Sequence, residues 1–186
     1  MKHVLLVLGA VAAAPVLAAE PTMPAPLPAP ADASDWGGFH AGVQIGRTDN
    51  ILTYQGRTVP SADTHALGIH AGFATDFGPY VLGIEADFGR FLGTSGDLAR
   101  LKGRAGVDLG RFQPYLVIGA ARLSGDGLLE TAPVFGMGTD WKATDRLTLG
   151  IEYTIQEFED ARMSRLGLLD PDLRMELVHL RMSWRF

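Results

Sequence analysis

The sequence predicts an all-β protein: an eight-stranded antiparallel up-and-down transmembrane β-barrel behind a cleaved N-terminal signal peptide. Three observations carry that prediction. Apolar residues recur at every second position through eight segments. Connections between the segments alternate between long and tight, and charge within the segments keeps to the face opposite the apolar one.

The chain opens on "MKHVLLVLGAVAAAPVLAAE". Lys2 gives a positive start, Val4 to Ala14 an apolar stretch and "VLAA" a small-residue cleavage site, so 1–19 reads as a signal peptide cut after Ala18 or Ala19. The apolar stretch is too short to span a bilayer as a helix, and Pro15 interrupts it. Five of the eleven prolines fall between Pro21 and Pro30, which makes 20–34 an extended periplasmic linker. The barrel is expected over 35–186. With no cysteine, the chain has no disulfide and no thiolate metal site. A formal charge of −5 without a basic stripe or RNA-reading motif offers nothing to nucleic acid.

The eight segments follow in order, each named here by its expected outward set. The first presents Phe39, Ala41, Val43 and Ile45; the second Leu67, Ile69, Ala71 and Phe73. The third has Tyr80, Leu82, Ile84, Ala86 and Phe88, and the fourth Leu101, Ala105, Val107 and Leu109. The fifth is given Tyr115, Val117, Ala121 and Leu123; here Leu116, Ile118 and Ala120 make the second face apolar too, and only Arg122 sets the parity. The sixth has Phe135, Met137, Thr139 and Trp141, and the seventh Leu147, Leu149, Ile151, Tyr153 and Ile155. The eighth, "MELVHLRMSWRF", presents Val178, Leu180, Met182, Trp184 and Phe186.

Long connections are expected at 48–64, 89–98, 124–132 and 156–174, and tight ones at 76–79, 110–113 and 143–146. Long loops on one rim and short periplasmic turns on the other are the habit of outer-membrane barrels. Pro79, Pro114 and Pro133 fall at strand starts, where no ladder donor is lost.

Twelve charged residues within the segments share the parity opposite the apolar set: Glu85, Asp87, Arg100, Lys102, Arg104, Asp108, Arg122, Asp140, Lys142, Glu152, Arg181 and Arg185. A cation on the lipid face costs ~2–4 kcal/mol at the bilayer midplane, so a membrane barrel turns its ions inward. Seven positive and five negative groups are nearly balanced, as a paired lumen network requires. Hairpin pairing is expected to bring Glu85 to Lys102 or Arg104, and Asp87 to Arg100. Trp36, Tyr80, Tyr115, Trp141, Trp184 and Phe186 are expected to form an aromatic belt at the periplasmic level, half in acyl chain and half in headgroup.

An eight-stranded barrel is just wide enough for its side chains to fill it. Inward glycines such as Gly42, Gly72 and Gly138 leave room for long neighbours. Paired ions that plug the barrel are one reading; a narrow small-solute or ion channel is the alternative. A third reading, a lipid A-modifying enzyme, needs a Ser/His pair with a carboxylate. His179 and Ser183 lie four strand residues apart, roughly 13 Å, beyond hydrogen-bond reach. His40 and His70 are then polar fillers of the lumen, and no metal-ligand spacing is present. The chain is read as non-enzymatic, without cofactor, with a structural or surface-exposed role carried by its long loops.

"DWGGFHAGVQIG" at 35–46 resembles the opening strand of the small outer-membrane barrel family common in Alphaproteobacteria, relatives of the OmpA transmembrane domain often grouped with porins. "VLGIEADFG" at 81–89, "LKGRAGVDLGRFQPYLVIGAA" at 101–121 and the closing "LRMSWRF" resemble its later strands. His40 departs from the family's usual tyrosine, the loops match no known pattern, and no peptidoglycan-binding domain is expected after the barrel. The resemblance implies a barrel embedded in outer-membrane lipid and lipopolysaccharide, serving envelope integrity or surface recognition. It also implies that the last strand, through Leu180, Met182, Trp184 and Phe186, is the address read by the barrel-assembly machinery. What the loops bind is not implied. The N-terminal arm and the C-terminus are both expected in the periplasm.

Overall fold

The computed structural model describes residues 35–54, 57–60, 64–125, 128–158 and 172–186. The expected signal peptide, the proline-rich arm and most of the fourth long connection lie outside the described residues. Among the described residues the strands are β1 (Gly38–Tyr54), β2 (Arg57–Pro60), β3 (Thr64–Phe77), β4 (Tyr80–Phe91), β5 (Asp97–Val107), β6 (Phe112–Gly125), β7 (Leu128–Lys142), β8 (Leu147–Phe158) and β9 (Asp172–Arg185).

Eight of these close into an antiparallel barrel in the order β1-β3-β4-β5-β6-β7-β8-β9, with β9 returning to β1. The closing ladder runs from His40↔Arg185 to Thr53↔Asp172. At its lower end the Phe186 N–H donates to the Phe39 carbonyl at 3.0 Å. The short β2 is not a stave; it folds back on the far end of β1, from Ile51↔Pro60 to Tyr54↔Arg57. The tight turns lie where the sequence puts them. In the two-residue turn between β3 and β4, Gly78 takes a φ of 63°, a conformation that suits glycine.

The outer connections are shorter than expected. β1 runs on through 48–54, β6 reaches Gly125, and β7 starts at Leu128. In each case the ladder continues after the simple alternation of polarity has stopped, for a reason that burial makes plain.

Through the lower two-thirds of the barrel, counted from the tight turns, burial is inside-out. Ile84, Leu101, Leu116 and Ile118 are 66%, 64%, 64% and 63% exposed, while Glu85, Lys102 and Glu152 are 1%, 1% and 0% exposed. In water, leaving a side chain like Ile84 or Leu101 exposed forgoes ~1.5–3 kcal/mol each. A surface continuous in such residues is stable only against hydrocarbon.

At the far end the pattern inverts. Arg47, Asp49, Arg90, Arg122 and Arg174 point outward and are exposed. Inside, Phe91, Leu98, Leu123, Val134, Phe158, Met175 and Leu177 form an apolar cluster. This collar is built largely like a water-soluble protein, charged outside and mainly apolar within, although Thr48 and Gln156 are also buried inside and Leu129 is exposed.

Three expectations are overturned. The fifth segment, β6, has the opposite parity: Tyr115, Val117, Ala121 and Leu123 are buried, and Leu116, Ile118 and Ala120 face outward. Arg122 therefore lies on the outer face and does not join the lumen ions; it belongs to the polar exterior of the collar. Tyr115 and Trp36 leave the belt, since both are buried inside, at 4% and 0% exposure. Tyr80, Trp141, Trp184 and Phe186 face outward near the tight-turn rim.

Candidate functional site: a closed ionic lumen

Three layers fill the barrel from the tight-turn rim upward. The floor is Trp36, carried by the segment before β1 across the mouth. Its indole N–H faces two acceptors, Asp108 Oδ1 and the Gly110 carbonyl, each at 3.2 Å. Lys142 Nζ lies 4.5 Å and the Arg185 guanidinium carbon 5.4 Å from its ring centroid, within cation–π range. The same two cations tie the segment down: Lys142 donates to the Asp35 carbonyl and Arg185 to the Gly37 carbonyl, both at 2.6 Å. Trp36 shares the even parity of inward His40 and Gln44, and that was the signal for its place.

The middle layer is the ion network. β4 presents Glu85 and Asp87, β5 presents Arg100, Lys102 and Arg104, β7 Asp140, β8 Glu152 and β9 Arg181. Lys102 Nζ stands at the centre, 2.9 Å from Glu85 Oε1, 2.8 Å from Asp87 Oδ2 and 2.6 Å from Glu152 Oε1. Arg181 bridges Glu85 and Glu152 from the opposite wall. Arg104 reaches both Glu85 at 3.0 Å and Asp140, and its guanidinium stacks 3.8 Å over the Tyr115 ring. Arg100 donates to Asp87 at 2.8 Å and to Thr154 at 2.9 Å. Tyr115 donates its hydroxyl proton to Glu152 at 3.2 Å.

Four cations face four carboxylates in this layer, so the group is neutral without any histidine charge. Neutrality matters because a buried ion left without its partner costs ~3–5 kcal/mol. Of the expected lumen ions, Asp108, Lys142 and Arg185 sit apart from this layer and belong to the floor. Glycines across the ladder make the room: a Cβ on Gly138 would fall 2.5 Å from Tyr115, and one on Gly72 2.8 Å from the His40 ring.

The upper layer is the apolar collar. Among the described residues a cavity of about 20 Å³ lies below the network and one of about 10 Å³ above it. Each is the size of one or two water molecules, so neither admits a solute.

One juxtaposition was hidden in the sequence. His70 Nε2 and Ser183 Oγ lie 2.7 Å apart, although 113 residues separate them. Gly42 pairs with His70 on one side and with Ser183 on the other, and its missing side chain lets them meet. The signal was register: two polar side chains flanking a glycine. The pair does not make a nucleophile and base. His70 and Ser183 are 3% and 7% exposed, His70 Nδ1 has no orienting carboxylate among the described residues, and the adjoining cavity of about 20 Å³ cannot hold a substrate. Among the described residues no cluster of His, Asp or Glu has the geometry of a metal site.

In fold the chain is similar to solved small outer-membrane barrels. Neisserial surface protein A (NspA) has 14% identity and a TM-score of 0.50, over 80% of this chain and 97% of that one. Ail, the attachment invasion locus protein of Yersinia pestis, has 15% identity and a TM-score of 0.47, over 80% and 99%. OprG from Pseudomonas aeruginosa has 13% identity and a TM-score of 0.41, over 81% and 96%. No family model matches the sequence, and no curated protein matches it. At such identities the likeness is one of fold, the closed eight-stranded antiparallel barrel, and it does not single out the alphaproteobacterial family that the motifs resemble.

Proposed function

We propose that this chain is an integral outer-membrane barrel with a closed interior and a structural or surface-recognition role, and not an enzyme or a channel. The observation that carries the reading is the inversion of burial along one barrel. An apolar outer wall around ions suits lipid, and a polar outer wall around apolar side chains suits water. In this reading the tight turns, the N-terminal arm and the end of β9 lie on the periplasmic side, and the collar stands above the outer leaflet among lipopolysaccharide sugars. The outward set Leu180, Met182, Trp184 and Phe186 of β9 is the segment proposed to engage the barrel-assembly machinery. Membership of the alphaproteobacterial family is proposed on the resemblance of the motifs in β1, β4, β5, β6 and β9.

The experiment is gel mobility of membrane-fractionated protein, heated and unheated. A folded membrane barrel resists SDS and runs at a different mobility until boiled, and it stays with the membrane fraction. Identical mobility, with recovery in the soluble fraction, contradicts the reading.

A further inference from the structure

The tight-turn rim carries two hollows that closing the barrel does not use. One is an apolar groove of about 870 Å³ on the outer wall across β4 to β8. Short Ala105, Pro114 and Thr139 leave it open among Tyr80, Leu116 and Met137. The other, of about 500 Å³, lies at the rim itself, where Arg111, Lys142, Arg146 and Arg185 gather with Asp35 and Asp145.

Register joins the two. Down the β6–β7 ladder the outward pairs are Leu116↔Met137, Pro114↔Thr139 and Phe112↔Trp141. One step further, the Lys142 N–H donates to the Arg111 carbonyl at 2.9 Å, and nearby the Arg185 N–H donates to the Arg146 carbonyl at 2.8 Å. A lane thus runs from the groove, past two rings, to the cations over roughly 10 Å of strand. Lys142 and Arg185 are occupied with the N-terminal segment and Trp36. Among the described residues the Arg111 and Arg146 side chains make no ion pair, and both are exposed.

We propose that this lane binds one anionic glycerophospholipid of the adjoining leaflet, its phosphate on Arg111 and Arg146 and an acyl chain in the groove over Ala105, Pro114 and Thr139. The proposal rests on the membrane reading above. Guanidinium groups bind phosphate through charge-assisted hydrogen bonds. Trp141 and Phe112 stand at the level where rings favour the headgroup boundary. The groove takes hydrocarbon, which a free phosphate does not supply.

The test is native mass spectrometry of the folded full chain in micelles, titrated with phosphatidylglycerol, with phosphatidylcholine of the same chains, and with inorganic phosphate. Phosphatidylglycerol is expected to be retained at least tenfold more tightly than phosphatidylcholine, and Arg111→Ala with Arg146→Ala to abolish the difference. Thr139→Leu, which narrows the groove, weakens phosphatidylglycerol and leaves inorganic phosphate unchanged. Equal retention of the two lipids, a preference that survives loss of both arginines, or inorganic phosphate bound as tightly as the lipid overturns the proposal. Should the double variant not fold, wild-type vesicles decide it. Brominated phosphatidylglycerol at low mole fraction must quench Trp141, taken by difference from Trp141→Phe, more than brominated phosphatidylcholine does, and equal quenching overturns the lane. Failure of the membrane reading is seen separately, as protein that does not enter vesicles and shows no heat-dependent mobility.

Discussion

The lower and upper parts of this barrel are filled by opposite chemistry on one continuous set of strands. Below, Glu85, Lys102, Glu152 and Arg181 meet in a buried neutral lattice; above, Leu98, Leu123, Phe158 and Leu177 pack in an apolar core. β4 shows the change within one strand, from inward Glu85 and Asp87 to inward Phe91, with exposed Arg90 beside it. The difference teaches that alternation reports which face a residue takes, while the surrounding solvent decides which face is polar. Where hydrocarbon surrounds the wall, ions must go in; where water surrounds it, they come out.

That contrast can be broken residue by residue. The largest effect is expected at Lys102, whose ammonium is shared by three carboxylates. Lys102→Met strands a net negative charge in the lumen and costs ~3–5 kcal/mol in the urea-unfolding free energy of the reconstituted barrel. In the collar, Leu177→Ala leaves a cavity in the apolar cluster and costs about 3 kcal/mol by the same measurement. Added salt leaves the Leu177 cost unchanged, because no charge is involved. If Leu177→Ala is neutral, the collar is not a packed core.

A smaller effect discriminates the position of Tyr115. Its hydroxyl lies against Glu152 and within 3.3 Å of Arg181. Tyr115→Phe is therefore expected to cost ~1.5–3 kcal/mol, the range for a hydrogen bond to a charged group. An outward tyrosine such as Tyr80 loses far less on the same change, and equal costs would return Tyr115 to the outer face. The smallest effect is expected at Arg122. Outward and exposed on the collar, Arg122→Leu changes stability by no more than ~0.5 kcal/mol; a loss of several kcal/mol would mean that it is a lumen ion after all.

Much of this was legible in the sequence, for a physical reason. Seven of the eight segments carry ions or glycines on one parity and branched or aromatic residues on the other, so lipid forces their orientation. The neighbours Glu85 and Lys102, and Asp87 and Arg100, follow from one hairpin register. β6 was not legible, because it runs from the ionic layer to the collar with both faces apolar and its one ion, Arg122, stands on the exposed outside of the collar. Register would have corrected it: Val117 pairs with inward Arg104, and Ala121 with inward Arg100. Outer strand lengths failed for the same reason, since alternation inverts in the collar while the ladder continues. The residue type of Trp36 suggests an interfacial belt, but its even parity, shared with His40 and Gln44, points inward. The His70–Ser183 contact needed the closing ladder through Gly42, which no local pattern contains.

In the proposed reading, the ions, floor and collar together leave no path through the barrel among the described residues. Current across a planar bilayer holding the folded wild-type protein tests it most directly. The closed lumen predicts a silent record at voltages that drive known pores, and Trp36→Ala stays silent too, since network and collar remain. Resolved, reproducible conductance steps from wild-type protein would contradict it.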